Sequence, residues 1–410
     1  MWSLVFLVIV VWSLLLKLYL NYRQVNAITR HINQVPDTFR DSVSLAEHTK
    51  AGQYNLAKLR ISRFEEVFSS IILLIFTLGG GIQLINDHLN YLSDYPLTTG
   101  VAVILIFNLL NSVLSLPFSI YSTFGIEQRF GFNNTTVKLF ITDMLKSLLL
   151  AGAIGIPLIY VVLWLMNMMG NTWWIWVWLL LVGFNLAIMV IYPVFIAPLF
   201  NKFTPLKDPV LQDKINRLLE RCGFKSRGVF VMDGSKRSSH GNAYFTGLGR
   251  AKRIVFFDTL IKQLTHDETE AVLAHELGHF KKKHIVKQMI MSFGLTLVIL
   301  YILSLLIKYP TFYNSLGVTT VTTYNGLILF MLLLGVVSLP FAPLFSYFSR
   351  KNEFEADSFA AAQADKKHLI SGLVKLYKDN ASTLTPDSLY VKFYYSHPPA
   401  SVRIAHLEQV

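Results

Sequence analysis

Long apolar stretches dominate the pattern of this chain. Seven of them reach the roughly 20 residues that an α-helix needs to cross a bilayer. They are Trp2–Leu20, Val67–Leu84, Val101–Ile120, Leu145–Met166, Trp173–Pro193, Ile285–Ile307 and Leu327–Tyr347. The first stretch lacks the basic start and the Ala-x-Ala cleavage site of a signal peptide, so we interpret it as a retained span. The pattern therefore predicts seven transmembrane helices.

These spans divide the chain into four parts. Residues 1–200 hold spans one to five with a polar loop at 21–66, and residues 285–347 hold spans six and seven. Residues 201–284 and 348–410 are polar and can together form one folded unit. We expect an all-α multi-pass membrane protein with about seven transmembrane helices and a small α+β domain outside the bilayer.

Periodicity within the two polar parts predicts their local structure. Asp208–Cys222 has the apolar spacing of a helix, and Ser349–Leu376 is expected to be a helix that continues the seventh span. Short runs of β-branched and aromatic residues predict strands at Val229–Met232, Ala243–Leu248 and Ile254–Phe257, with a turn at Gly249-Arg250.

Composition supports a membrane protein. Charged residues make up 15% of the chain, against about 25% in a soluble globular protein. This excludes a disordered protein and an ordinary soluble enzyme, and the single cysteine, Cys222, excludes an internal disulfide. The net charge of +12 is assigned to basic cytoplasmic loops rather than to nucleic-acid binding.

The distribution of Lys and Arg predicts the orientation. The connections hold seven such residues at 21–66, none at 85–100, two at 121–144, none at 167–172, sixteen at 201–284 and one at 308–325. Basic connections face the cytosol. We therefore expect the N-terminus on the outer or lumenal side, and both polar parts on the cytosolic side.

The sharpest motif is His275-Glu276-Leu277-Gly278-His279. Two histidines one helical turn apart can bind one zinc ion, and Glu276 is placed to take a proton from an attacking water. With eleven His and eleven Glu in the chain, about 0.008 such matches are expected by chance. The alternative interpretation is a solvated helix face.

The sequence around the motif predicts its helix. Thr265 and Glu268 form a capping-box pattern at the start. We expect the helix to continue through Lys281–Lys283 into the sixth span, which would place the metal within about two turns of the membrane surface. Gly278 would leave space beside the metal.

A catalytic zinc site needs a third protein ligand. The position six residues after His279, where a third histidine could stand, is Ile285. Glu353 and Asp357 lie one turn apart after the seventh span, so Glu353 can complete the site while Asp357 holds a ligand histidine. Glu353 could equally be a surface acid, and Glu355, on another face, is expected to be solvated.

Together these motifs resemble the type I CAAX prenyl endopeptidases, which are integral-membrane zinc metalloproteases. The resemblance covers nearly the whole chain and rests on its combination of motifs. These are Ile120–Phe124 with Glu127 and Gly131–Asn133, Pro198–Phe203, Ser239–Phe245, the His-Glu-x-x-His motif, Ser349-Arg350 with Glu353-Phe354 and Ala356-Asp357, and Tyr395–Pro399.

The resemblance implies roles for individual residues. Glu353 matches the third zinc ligand, and Asp357 the acid behind the ligands. His397 and Arg403 match positions that line the catalytic centre. Asn242, Ala243 and Tyr244 match the strand edge that holds the substrate backbone in this family. From the residues alone, Asn242 could be a simple turn residue and His397 a packed loop histidine.

The resemblance also implies a fold and a reaction. Seven tilted helices would enclose a chamber in the bilayer, capped by a cytosolic domain with one zinc ion per chain. The substrate would be a prenylated CAAX peptide or protein that loses its last three residues. The expected location is the endoplasmic reticulum membrane or a bacterial inner membrane. Two alternatives remain, a quality-control protease for membrane proteins and a seven-helix channel or receptor with structural zinc.

Overall fold

The computed structural model describes residues 2–92, 94–224, 226, 228–246 and 253–410, and most of them are helical. The longer helices before the sheet are α1 Trp2–His31, α2 Leu45–Phe76, α3 Gly81–His88, α4 Pro96–Ile120, α5 Val137–Met168 and α6 Trp173–Ile191. Those that follow are α7 Pro209–Arg221, α8 Asp258–Gln263, α9 His266–Lys281, α10 His284–Leu306, α11 Pro310–Ser315, α12 Thr323–Val337, α13 Ala342–Gln363, α14 Lys366–Asp379, α15 Ser388–Tyr394 and α16 Ala400–Gln409. Helix α4 continues through a π-helix at Tyr121–Glu127, and α6 through another at Tyr192–Ile196.

Among the described residues, five segments are long and apolar enough to cross a membrane, and two bent pairs raise the number to seven. The single segments contain α1, α4, α5, α6 and α10, and the bent pairs are α2 with α3 and α12 with α13. Each of the seven predicted apolar stretches falls on one of these segments. The expected mainly helical multi-pass fold is therefore confirmed.

The two bends have local causes. Between α2 and α3 the chain turns by 50° at a break that contains Gly80, whose φ of 75° is in the region that favours glycine. Between α12 and α13 it turns by 45° near Pro340, which lacks the backbone N–H that a continuous helix needs.

A four-stranded sheet forms the centre of the polar unit. Its strands are β1 Phe203–Pro205, β2 Val229–Met232, β3 Ala243–Thr246 and β4 Arg253–Phe257, in the order β1-β2-β4-β3. Strands β2 and β4 are parallel, and the other pairs are antiparallel. The sequence pattern predicted β2, β3 and β4 but missed β1. The predicted turn at Gly249-Arg250 lies outside the described residues.

One apolar core joins the sheet to the surrounding helices. Leu211 and Ile215 of α7, Phe256 of β4 and Leu273 and Leu277 of α9 are all nearly inaccessible to solvent. Leu211 and Ile215 are one helical turn apart on α7, as the sequence pattern predicted. This core fixes α9 against the sheet.

Two predicted helices are interrupted. Helix α9 ends at Lys281 instead of continuing into the sixth span, and Lys283 takes a φ of +57° before α10 begins at His284. The predicted helix Ser349–Leu376 is wrong in its length. It divides into α13 and α14, because Asp365 accepts a hydrogen bond from the backbone N–H of Lys367 and starts a new helix.

The membrane helices also leave a partly open space between them. A cavity of about 410 Å³ lies between α1, α2, α4 and α12 and has both aromatic and polar side chains in its wall. The wide chamber that the resemblance implies stays a prediction.

Candidate metal centre

Helix α9 carries both histidines of the motif, and its start is firmly held. The side chain of Thr265 accepts a hydrogen bond from the backbone N–H of Glu268, and Glu268 accepts one from the backbone N–H of Thr265. This confirms the predicted capping box. The buried Glu268 carboxylate also accepts hydrogen bonds from Ser371 and Lys375 of α14, which anchor α9 to the C-terminal part.

Three side chains of two helices converge in front of α9. The Nε2 atoms of His275 and His279 lie 3.2 Å apart, and Oε1 of Glu353 on α13 lies 3.2 Å from Nε2 of His279. One ligand atom of each residue lies within 4.8 Å of the other two. The fold thus brings Glu353 to the two histidines although it follows His275 by 78 residues in the sequence.

This cluster has the chemistry of a metal site. Oε2 of Glu353 is buried and, among the described residues, accepts no hydrogen bond. It lies 3.4 Å from Nε2 of His275. Two imidazole nitrogens and one carboxylate form a ligand set typical of catalytic zinc, which keeps a fourth position open. The residues present therefore fit a zinc ion.

Asp357 and Arg403 support the His275 side of the cluster. Oδ1 of Asp357 lies 2.8 Å from Nδ1 of His275, so the imidazole presents Nε2 to the centre. Arg403 donates to both oxygens of Asp357, at 2.5 and 2.8 Å, and its Nη1 lies 3.5 Å from Glu353. Arg403 is buried, and we expect it to act through these carboxylates rather than on a substrate.

The electrostatics of the centre favour a positive charge at its middle. Burial and the charge of Arg403 lower the pKa of His275, but its contacts with Asp357 and Glu353 outweigh them and raise this pKa to about 9. Without a metal, His275 would therefore hold a proton at neutral pH. A metal ion bound there would replace that proton.

The His279 side has a different support. Nδ1 of His279 lies 3.0 Å from Nδ1 of His284, and Nε2 of His284 donates to Glu355 at 3.1 Å. Glu355, which was predicted to be solvated, has 34% of its side chain exposed, and it also pairs with His284, which the break after α9 brings to it. The sequence pattern did not indicate the pair of His284 and Glu355, because it predicted one continuous helix from α9 into the sixth span.

Glu276 lies between the two histidines in sequence and is partly exposed. Within the described residues, its carboxylate forms no hydrogen bond or ion pair. It is therefore free to exchange a proton with a molecule at the centre.

His397 reaches the same centre from the C-terminal part. Its Nε2 lies 3.4 Å from Oε1 of Glu353, and 63% of its side chain is exposed. Arg350 of α13, which sequence reasoning did not assign a role, donates to the backbone carbonyls of Val391 and Tyr395. It thereby holds the segment before His397.

The residues predicted to contact substrate backbone lie on an edge strand or directly before it. Ala243 and Tyr244 belong to β3, which pairs with β4 on one side and is last in the sheet order. Asn242 is exposed, its carbonyl accepts from the N–H of Phe257, and its side chain accepts from the N–H of Ala243. An edge strand offers backbone groups to an extended peptide.

Gly278 has a role other than the one predicted. A Cβ atom there would lie 2.9 Å from Cα and 3.0 Å from the carbonyl oxygen of Ala356 on α13. The glycine therefore permits the close approach of α9 and α13. It keeps the two helices that carry the cluster close together, whereas the sequence predicted that it would leave space beside the metal.

Two family descriptions match consecutive parts of the chain. Residues 24–202 match the family described as CAAX prenyl protease N-terminal, five membrane helices. Residues 205–410 match peptidase family M48.

Individual relatives match over nearly their whole length. CAAX prenyl protease 1 of Saccharomyces cerevisiae is 37% identical over 96% of this chain and 92% of its own. The CAAX prenyl protease 1 homolog of Dictyostelium discoideum is 35% identical over 95% and 93%. The crystal structure of S. mikatae Ste24p has a TM-score of 0.92 at 35% identity and covers 99% of this chain and 98% of that one.

Proposed function

This chain belongs to the CAAX prenyl protease family of M48 membrane metalloendopeptidases, and from that premise we propose that it uses one zinc ion to remove the C-terminal tripeptide of prenylated CAAX proteins. The observation that carries the proposal is the convergence of His275, His279 and Glu353 within 4.8 Å. Two imidazoles and a carboxylate suit zinc, and the names of the relatives supply the substrate class.

The reaction assigned to the centre is peptide hydrolysis. His275, His279 and Glu353 would hold the zinc ion, which supplies a Lewis acid that polarises the scissile carbonyl and acidifies a water molecule. Glu276 takes the proton from the attacking water and delivers it to the leaving amine. The absence of a partner for Glu276 among the described residues supports this role.

Other residues orient the ligands or stabilise the negative charge that develops on the substrate. Asp357 holds His275 through Nδ1, and Arg403 holds Asp357. His397 is exposed beside Glu353, and it can donate a hydrogen bond to the carbonyl oxygen as that oxygen gains negative charge.

The substrate peptide would extend β3. Its backbone would pair with the edge at Asn242, Ala243 and Tyr244 that no described strand covers, which fixes the position of the scissile bond. The short connection between α9 and α10 keeps the centre close to a membrane segment. A lipid on the substrate would then sit in the bilayer while the peptide reaches the centre, and the surrounding bilayer is thus a second partner.

The proposed location follows from charge. The connections that carry the cluster are rich in Lys and Arg, which favours a cytosolic centre. The endoplasmic reticulum membrane and a bacterial inner membrane are both compatible with this orientation.

The decisive experiment compares matched peptides that end in a CAAX sequence, with and without a farnesyl group on the cysteine. At about 25 cal/mol per Å², the buried lipid contributes several kcal/mol to positioning the scissile bond. We expect a much higher kcat/KM for the farnesylated peptide, with cleavage directly after the modified cysteine, detected by mass spectrometry.

Two other results would contradict the proposal. Equal cleavage of both peptides, or scattered cuts in unfolded membrane proteins, would favour the quality-control protease. Zinc binding without any chelator-sensitive proteolysis would favour a structural metal.

A further inference from the structure

The two histidines of the candidate centre differ in what holds their outer nitrogen. Nδ1 of His275 lies beside a carboxylate, Asp357. Nδ1 of His279 lies beside a second imidazole, that of His284, and only then does a carboxylate, Glu355, follow. Neither His284 nor Glu355 takes part in the proposed hydrolysis.

The hydrogen bonds of this pair run in one direction. Glu355 can only accept, so Nε2 of His284 carries the proton that it donates. In a neutral imidazole, Nδ1 of His284 then has a lone pair, which accepts the Nδ1–H of His279. Nε2 of His279 is left with its lone pair, and this is the nitrogen that faces His275 and Glu353.

The backbone break after α9 makes this contact possible. In one continuous helix, position 284 would be rotated by about 140° from position 279 around the axis. Lys283 instead takes a φ of +57°, which costs about 1 kcal/mol or more for a residue with a side chain. Strained positions of this kind persist where the surroundings demand them.

His284 is also enclosed. Only 4% of its side chain is exposed, while 34% of the Glu355 side chain is. Within the described residues, its two ring nitrogens face His279 and Glu355, so the ring has both of its hydrogen-bonding positions in use. It is also the first residue of α10, a membrane segment.

We propose that His284, anchored by Glu355, is a positioning residue that fixes the ring and tautomer of His279 so that Nε2 binds the zinc ion. The inference rests on the proposed function, because it assigns zinc to the cluster. Residues that hydrogen-bond to a metal ligand typically raise the metal affinity by about 10- to 100-fold.

The test measures zinc affinity of the purified full-length protein by competition with a chromogenic chelator, which requires no substrate. We expect H284A to bind zinc about 10- to 100-fold more weakly, and E355A to be weakened in the same direction. H284N should retain most of the affinity, since its amide oxygen stands near the position of Nδ1 and can accept from His279.

Two controls separate this inference from the function on which it rests. H266A removes a histidine of the same helix that pairs with Asp208 at 2.9 Å, and it should keep wild-type affinity. E353A removes a proposed ligand and should lose zinc. The melting temperature of each metal-free variant shows whether the change acts on folding.

The outcomes are distinct. Zinc affinity within about twofold of wild type in H284A, with zinc lost in E353A, would overturn the positioning role and leave the proposed function standing. Unchanged affinity in both would overturn the metal site itself. If H284A and H284N bind zinc equally weakly at an unchanged melting temperature, loss of the hydrogen bond to His279 does not explain the loss of zinc affinity.

Discussion

Glu276 and Glu353 are two acids beside the same centre, and their surroundings give them different chemistry. Glu353 is buried among His275, His279 and Arg403, which hold its carboxylate as an anion. Glu276 is partly exposed, and no described residue pairs with it. A fixed anion suits a ligand, whereas an unpaired acid suits proton transfer.

This difference leads to a prediction for E276Q. The amide keeps the shape of the side chain and leaves the three proposed ligands in place, so zinc content should equal that of wild type. Hydrolysis of the farnesylated peptide should fall by about 10²–10⁴-fold, which is typical of a lost general base. Steady-state kinetics with elemental analysis checks both parts, and near-wild-type turnover would remove Glu276 from the mechanism.

At the residue scale, the sequence predicted local spacing well and distant contacts poorly. His275 and His279 follow from their separation by one helical turn. Glu353 and Asp357 lie far along the chain, so the residues alone left Glu353 as either a third ligand or a surface acid, and the family resemblance favoured the ligand. His284 and Glu355 could not be predicted, because their contact depends on a single backbone break at Lys283.

At the scale of secondary-structure elements, the main feature is the close packing of α9 against α13. These helices carry all three proposed ligands, and they meet at Gly278 and Ala356. Because a Cβ atom on Gly278 would lie 2.9 Å from backbone of α13, any side chain there must push the helices apart. The geometry of the cluster therefore depends on a residue with no functional group.

We predict that G278A lowers activity through this spacing. Alanine favours a helix by up to about 1 kcal/mol over glycine, but overpacking against backbone costs about 1–3 kcal/mol. A displacement of the ligands by about 1 Å can reduce turnover by about 10²-fold. Peptidase kinetics and thermal unfolding of the purified variant measure both effects.

The matched control is G372A on α14. A Cβ atom there meets its nearest neighbour, a side-chain carbon of Val272, at 3.4 Å, which is ordinary contact. This variant should keep its activity and melt no lower than wild type. Equal activity of G278A and wild type would show that the two helices separate without cost to the centre.

Elements were predictable where a physical rule acts over many residues. Spans of about 20 apolar residues appear as membrane segments, and the capping box at Thr265 starts α9 as expected. The missed features are short. Strand β1 has three residues and exists through its pairing with β2, while the break at Asp365 depends on one side chain.

At the scale of the molecule, ion pairs tie the polar unit to the membrane helices. Arg23 of α1 donates to both oxygens of Asp387, which caps α15. Lys378 of α14 pairs with Glu47 of α2 at 2.9 Å. Partly exposed pairs such as these contribute at most about 1 kcal/mol each, so they fix the relative placement of the parts more than they stabilise the fold.

A whole-molecule prediction concerns which side of the membrane holds the centre. Three membrane segments, α4, α5 and α6, separate Tyr91 from Arg217, so the two residues should lie on opposite sides. Both side chains are exposed. The chain has one cysteine, the buried Cys222, so C222A gives a background with no thiol in which single cysteines can be introduced.

In sealed vesicles with the cytosolic face outward, a membrane-impermeant maleimide should label R217C at once and Y91C only after detergent is added. The reason is the charge bias, which places the basic residues 201–284 in the cytosol and the connection at 85–100, which has no Lys or Arg, across the bilayer. The C222A background should stay unlabelled in both conditions. The reverse pattern would place His275 and Glu353 on the far side of the membrane, out of reach of lipidated C-termini of cytosolic proteins. Labelling of both cysteines, with a lumenal marker still protected, would mean that one of α4, α5 and α6 does not cross.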